Sequence, residues 1–320
     1  MVGGAGLPVK IDSSKFIKFV EVLAKEAERL PEYSSKFSRK DFTQRQHFVL
    51  LCMKVKTKQR YREFCEIVEL MPKIKQILEL DKIPHWTTLD KVFLRIKNTV
   101  LAALLQVECH FGSIDATGFD RRHVSKQYLN RCGMHIKSLK ATFLVDVHNQ
   151  MIVSIHSTTT RKHDSKIVLP LTKHHRLRIL CADKGYDDNK VRRTLRDRGI
   201  RPLIPHREFK RKHGYLNSLI DKKLYSKRSL SETVFSVIKR KYSDTLYSKH
   251  WRSQRKELTL LAVVYNADKK AREAMVFLVG FLQSHNAISK LRKHTNLQSH
   301  YSEPTKESRH VLWLHICSKA

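Results

Sequence analysis

The 320-residue sequence predicts a mixed α/β domain with flanking helices, preceded by an all-α region. Through residues 1–110 apolar residues recur at three- and four-residue steps, the period of helices. Near residue 111 the period changes to two, and strand and helix patterns then alternate. We therefore expect a helical region at 1–110, an α/β domain at 111–283 and a poorly ordered basic tail at 284–320.

Four apolar stripes predict the helices of the first region. They cover residues 16–30, 48–55, 64–71 and 89–104. Thr87 is expected to cap the last of these helices, with Asp90 three residues on. Several short helices with basic outer faces are typical of a helix-turn-helix type of DNA-binding module. The alternative is a helical bundle that only packs against the next domain.

The second region predicts a short strand, a hairpin, and then alternating helices and strands. Ser113–Thr117 is the first strand, and His148 to Gln150 read as the hairpin turn. Asp164 is expected to cap the next helix, and Asp187 or Asp188 the one after it. Further strands are predicted at 142–147, 151–157, 177–182 and 201–204, and helices at 164–173, 189–198, 229–241 and 254–282. A basic linker separates the last strand from the helix at 229.

The charge balance predicts a nucleic-acid partner. Lys and Arg number 63 against 30 Asp and Glu, a formal net charge of +33, and a polyanion such as double-stranded DNA compensates that excess. The alternative is an unusually basic solvated surface. The longest apolar run, Ala274–Leu282, is far shorter than the roughly 20 residues that cross a bilayer. The six cysteines form no C-x-x-C pair, which suits reduced thiols in a cytoplasm.

Three acidic residues are candidates for one site. Asp115 lies in the first strand, Asp183 at the end of a later strand, and Glu232 on the helix after the basic linker. A carboxylate in a core strand is costly unless it is paired or binds a metal, and ligands of α/β sheets gather at strand ends. If the three converge, their oxygen atoms suit Mg²⁺ or Mn²⁺. Taken singly, each has a structural alternative: a satisfied core carboxylate, a cap, and an ion-pair partner of Arg228 or Lys239.

The spacing around Glu232 resembles a known signature. Tyr225, Arg228, Glu232 and Lys239 stand as Y-x2-R-x3-E-x6-K, which is similar to the motif of prokaryotic insertion-sequence transposases with an RNase H-like fold and a DDE triad. The segments at 114–118, 161–165 and 182–187 resemble the same family. The resemblance covers roughly residues 40–270.

This resemblance implies roles for individual residues. Asp115, Asp183 and Glu232 would be the catalytic metal ligands for Mg²⁺, with Mn²⁺ as a substitute, whereas His163 and Asp164 receive no catalytic role. Tyr225, Arg228 and Lys239 would hold the transposon end near the scissile phosphate. The implied reaction is metal-dependent cleavage of the element's ends, followed by attack of the freed 3′-OH on target DNA. The implied setting is the nucleoid in a prokaryotic cytoplasm, with a homodimer on the DNA left open.

Other functions stay open at this point. The chain could be a nuclease of the same fold that joins nothing, or a decayed copy that acts as a non-catalytic DNA-binding repressor. Tyr225 as a covalent nucleophile is a rival within the same motif, but that chemistry gives three converging carboxylates no role. The stretch between Ile204 and Tyr225 is about twenty residues, too short for the large β insertion of some relatives. A hairpin intermediate in cleavage is therefore left open.

Overall fold

A computed structural model describes residues 13–295, apart from residue 106 and the stretches 123–126, 128–130, 134–137, 160–162 and 208–210. The chain divides into two compact units at Arg272 and Glu273. The last helix continues to Thr295, beyond its expected end at Leu282, and residues 296–320 of the predicted tail lie outside the described residues. In the part of the chain that is described, no helix is both long enough and apolar enough to cross a membrane.

Helices make up most of the described part of the N-terminal region. They are α1 (Ser13–Ala27), α2 (Gln44–Thr57), α3 (Tyr61–Glu69), α4 (Pro72–Ile77), α5 (Trp86–Arg95) and α6 (Asn98–Ala103). The single helix predicted at 89–104 is wrong, because Ile96 has an extended ψ of 133° that separates α5 from α6. Thr87 is not the cap either. Its hydroxyl lies inside α5, 2.8 Å from the ring nitrogen Nδ1 of His85.

A mixed sheet forms the centre of the second region. Its strands are β1 (Phe111–Arg121), β2 (Leu139–Asp146), β3 (Ile152–Thr158), β4 (Ile179–Ala182), β5 (Arg201–Leu203) and β6 (Thr245–Leu246). The order is β3-β2-β1-β4-β5, with β6 paired to the far end of β1. The first three strands are antiparallel neighbours, whereas β4 and β5 run parallel to β1. The predicted mixed α/β fold, with a mixed sheet and flanking helices after an all-α region, is confirmed.

The second region also contains further helices among its described residues. They are α7 (Ser165–Thr172), α8 (Asn189–Asp197), α9 (Arg211–Ser218), α10 (Lys222–Ser226), α11 (Ser229–Lys241) and α12 (Trp251–Thr295). The helix predicted at 229–241 is confirmed with the same bounds. The stretch read as a basic linker contains α9 and α10. Asp188 caps α8 through the backbone N–H groups of Lys190 and Val191, as one of the two predicted options.

Two hydrophobic clusters cover the two faces of the sheet. On one face Ile114 and Leu144 pack with buried residues of α7 and α8. On the other face Phe143 packs with residues of α11 and α12, and this cluster continues without a break into the N-terminal helices α1, α2, α3 and α5. The helical region and the sheet therefore share one core. That core fixes α11, the helix of Glu232, against the centre of the sheet.

Candidate active site

Strand register brings two of the predicted carboxylates together. In the parallel pairing of β1 and β4, Ile114 lies opposite Ala182, so Asp115 and Asp183 occupy the next position of adjacent strands. This is the carboxyl end of the parallel strands, where α/β sheets collect ligands. Asp183 directly follows β4, and its Oδ1 accepts a hydrogen bond from the backbone N–H of Lys184 at 2.7 Å. It therefore caps the following 3-10 turn, Lys184–Tyr186.

Packing of α11 on β1 and β2 places Glu232 next to this edge. The ring of Phe235 meets that of Phe143 edge-on at 5.1 Å between centroids. One turn earlier the hydroxyls of Ser231 and Ser113 are 3.4 Å apart in the buried interface. These contacts fix both the depth of the helix and its rotation. Glu232, one residue after Ser231, then projects from the edge of the interface with 55% of its side chain exposed.

Arg228 connects Glu232 to the aspartate of β1. Its Nη2 donates to Oε1 of Glu232 at 2.7 Å, and its Nη1 lies 3.4 Å from Oδ2 of Asp115. The guanidinium thus lies between two of the three predicted metal ligands. Arg228 is the N-cap residue of α11, and Glu232 lies four residues later in its first turn. The helix therefore holds these two side chains one turn apart. The ion pair with Arg228, which the sequence offers as a structural role for Glu232, is therefore present.

The electrostatics of Asp115 reflect its burial and its acidic neighbours. Its side chain is 20% exposed, and burial raises the pKa of its carboxyl above the ordinary value. The Ala116 N–H and Arg228 oppose this rise, whereas the charges of Glu232 and Asp183 add to it. For Arg228, burial lowers the pKa, but Glu232 and Asp115 raise it by more. The guanidinium is therefore a stable cation between carboxylates that repel one another.

The remaining signature residues, Tyr225 and Lys239, contact apolar and aromatic side chains of the sheet. Tyr225 packs against a small cluster that contains Phe111 and Cys181. Burial raises its pKa, Arg228 lowers it, and Asp183 raises it again, so the phenol is harder to ionise than a free tyrosine. This disfavours Tyr225 as a nucleophile. Lys239 has its ammonium over the ring of Phe119 on β1, 5.5 Å from the centroid.

Asp164 is a further acidic residue near the site. Its predicted capping role is wrong, because the side chain makes no cap hydrogen bond to α7 and instead pairs with the ammonium of Lys140 on β2. A Cβ placed on Gly185 would be 3.9 Å from Oδ2 of both Asp164 and Asp183, so both carboxylates approach the turn after β4. Asp164 lies in the segment 161–165 that resembles the transposase family, and the sequence alone favours a local cap for it over a long-range partner.

The donor set is chemically suited to a divalent cation. Asp115, Asp183 and Glu232 supply hard oxygen atoms at one sheet edge, and their mutual repulsion favours a cation among them. Within the described residues, no three His, Cys, Asp or Glu side chains are close enough to surround a metal together. The positive charge between Asp115 and Glu232 is supplied by Arg228. Mg²⁺ or Mn²⁺ fits the chemistry of these oxygen donors.

Comparison with known proteins gives one family match and distant structural likenesses. Residues 110–267 match the family model described as "Transposase DDE domain", a range that contains every residue of the site. A piggyBac transposase synaptic complex with hairpin DNA is 10% identical, with a TM-score of 0.43 over 92% of this chain and 84% of that chain. A simian T-cell lymphotropic virus intasome in complex with PP2A regulatory subunit B56 gamma is 14% identical, with a TM-score of 0.23 over 48% of this chain and 58% of that one. No curated protein matches the chain.

Proposed function

We propose that this chain cleaves the ends of a prokaryotic insertion sequence and joins them to target DNA. The match of residues 110–267 to a transposase DDE domain, the domain of a DNA phosphoryl-transfer enzyme, supports this proposal. The observation that carries the proposal is the adjacent register of Asp115 and Asp183 on β1 and β4, with Glu232 tied to Asp115 through Arg228. These are the acidic residues and the signature arginine that the sequence predicts for this activity.

Each site residue has a role in this proposal. Asp115, Asp183 and Glu232 would hold Mg²⁺, or Mn²⁺ in its place. When bound, such ions stabilise the attacking and leaving oxygens of an in-line displacement at phosphorus. Arg228 would bind phosphate oxygens through two parallel N–H donors, and Lys239 would add a point charge. Tyr225, held against the sheet between Arg228 and Asp183, would position the backbone of the transposon end.

The rest of the chain would supply binding to double-stranded DNA. The net charge of +33 favours a polyanion whatever its sequence. We assign sequence recognition to the helical region 1–110, catalysis to 111–283 and no role to the basic tail 284–320. Assembly as a homodimer on the DNA would let each copy hold one end. The setting would be the bacterial nucleoid.

The test is Glu232→Gln on a labelled duplex that ends in the inverted repeat flanking the reading frame. The amide keeps the shape of the side chain but removes the charge that a metal ligand needs. Loss of a residue that only supports a metal ligand typically lowers metal affinity or activity about 10–100-fold. Because Glu232 would itself be a ligand, we expect the cleavage rate to fall by at least about 100-fold. End binding in a gel shift should stay within a few-fold. Asp115→Asn should behave in the same way.

A matched control is Glu21→Gln on α1. Glu21 also forms an ion pair within one helix, with Lys18 at 3.0 Å. The Glu21→Gln variant should cleave and bind DNA as the unaltered chain does. Near-normal nicking by Glu232→Gln in both Mg²⁺ and Mn²⁺ would reduce Glu232 to an ion-pair partner and refute the proposal. Metal-dependent nicking without any joined product would favour the nuclease alternative, and binding without nicking would favour the repressor.

A further inference from the structure

We propose that Arg228 competes with the divalent cation for the carboxylates of Asp115 and Glu232. The guanidinium neutralises these carboxylates until the cation binds, and it then turns to a DNA phosphate. This inference rests on the proposed function, because it assumes that the carboxylates hold a metal. It assigns Arg228 two alternating partners rather than a fixed contact with DNA.

The contacts of Asp115 show which of its bonds can be exchanged. Oδ1 accepts a hydrogen bond from the backbone N–H of Ala116 at 2.8 Å, a donor fixed by the strand. Oδ2 faces Arg228 at 3.4 Å, a donor at the end of a long and rotatable side chain. A cation that binds Asp115 therefore displaces the arginine more easily than the backbone. The oxygen released is the one that Arg228 connects to Glu232.

The charges also favour exchange over sharing. Arg228 occupies Oε1 of Glu232 and approaches Oδ2 of Asp115, so a divalent ion held by the same two groups would lie beside a guanidinium. A unit charge and a double charge repel one another at that range, and an ordered metal site tolerates few distortions of its ligand geometry. The two carboxylates can therefore bind the guanidinium or the divalent ion, but not both at the same time.

The position of Arg228 allows it to move without unfolding the helix. It stands at the N-cap of α11, its side chain is 24% exposed, and that of Glu232 is 55% exposed. Exposed i,i+4 ion pairs are weak, so little opposes rotation of the side chain towards solvent. A phosphate offers a guanidinium the same paired oxygen acceptors as a carboxylate. Cation binding and phosphate binding should then strengthen each other, since each removes the competitor of the other.

The experiment measures Mn²⁺ binding to the full chain without DNA, by the EPR signal of free Mn²⁺. Arg228→Gln removes the competing charge but keeps a polar side chain. We expect it to bind Mn²⁺ about five- to tenfold more tightly than the unaltered chain. This factor corresponds to the repulsion between a single and a double charge roughly 8 Å apart in a water-like dielectric. Lys227→Gln is the matched control. It removes an equal charge from the residue that precedes Arg228. The Lys227 ammonium lies over the ring of Phe111, 6.0 Å from the ring centroid, and its removal should change the Mn²⁺ affinity by less than twofold.

The outcomes separate this inference from the proposed function. Equal or weaker Mn²⁺ binding by folded Arg228→Gln overturns the competition and leaves the metal site standing. Absence of Mn²⁺ binding in both proteins overturns the proposed function and the inference together. If thermal unfolding shows that Arg228→Gln is not folded, Arg228→Met takes its place. It removes the same charge, so this variant must also bind Mn²⁺ more tightly than the unaltered chain.

Discussion

Replacing Asp268 by asparagine removes a buried negative charge on which several cationic side chains converge. Asp268 lies on α12 with 6% of its side chain exposed. Its carboxylate pairs with Lys56 of α2 and Lys241 at the end of α11, and it accepts a hydrogen bond from the Tyr242 hydroxyl at 3.0 Å. Arg272 lies one turn further along α12, 3.7 Å away. The carboxylate therefore links the N-terminal helices to the helix that carries Glu232.

The size of the effect follows from which cations can regain water. Removing one partner of a buried ion pair typically costs about 3–5 kcal/mol, because the other charge is left uncompensated. Lys56 is 16% exposed and takes most of that cost, whereas Lys241 and Arg272 are 41% and 50% exposed and can be rehydrated. The asparagine oxygen still accepts one hydrogen bond. We therefore expect the free energy of unfolding to fall by about 2–4 kcal/mol at pH 7.

The pH dependence provides a second readout. Burial raises the pKa of Asp268, but its bonds to Lys241 and Lys56 lower it by more, so the folded value lies below the ordinary 3.8. A carboxyl with a lowered folded pKa stabilises the protein above its unfolded pKa, and the stabilisation is lost as the pH falls through the folded value. The difference between Asp268→Asn and the unaltered chain should therefore be constant from pH 5 to 7 and shrink below about pH 4.

Urea unfolding followed by circular dichroism measures both quantities. Asp197→Asn is a suitable control, because Asp197 is an exposed residue at the end of α8 and its replacement should change the free energy of unfolding by less than about 0.5 kcal/mol. A loss below about 1 kcal/mol for Asp268→Asn at pH 7 would refute the reasoning. A loss that stays the same on acidification would show that the packing of the side chain matters rather than its charge.

Two further substitutions test the packing and capping described above. Gly112→Ala should lower the free energy of unfolding by about 1–3 kcal/mol, since its Cβ would lie 2.8 Å from Cδ1 of Leu144 and 3.2 Å from Cδ2 of Leu177. An unchanged urea midpoint would show that these leucines can move aside. Asp188→Ala should cost about 1 kcal/mol by removing the cap of α8, whereas Asp188→Asn, which keeps an acceptor, should cost less than half of that. Equal losses for the two variants would indicate that the charge, and not the hydrogen bond, stabilises the helix.

The sequence predicts most of the sheet because its strands have short-range patterns. Alternation marks β1 and the hairpin of β2 and β3, and the position of Asp183 follows from the end of an apolar run. The two-residue strand β6 has too few residues for any pattern, and it forms because its backbone pairs with Asp120 and Arg121 of β1. The helices α9 and α10 were not predicted for a different reason. Charged residues dominate the basic stretch before α11, so it shows no apolar periodicity.

Long-range partners explain what the sequence could not predict about the site. Asp164 looks like a cap because it precedes a helix, yet its partner Lys140 is 24 residues away on β2. Competition between a local backbone donor and a distant ammonium is decided by the fold, and the ammonium of Lys140 provides the stronger charge-assisted bond. Arg228 is the opposite case. Its spacing of four residues from Glu232 predicts the ion pair correctly, but the approach to Asp115 depends on how α11 packs on β1.

The structural and the functional interpretations of the acidic residues are compatible, and the electrostatics favour the functional one. Asp183 caps a turn and Glu232 forms an ion pair, as purely structural roles require. Those roles do not explain why Asp115 and Asp183 stand at adjacent register positions of a sheet edge. The pKa of Asp115 remains raised, chiefly by burial, even with Arg228 beside it, so the charged carboxylate is only partly stabilised. A neutral residue at Asp115 would avoid this cost, whereas a site that must attract a second, stronger cation depends on it.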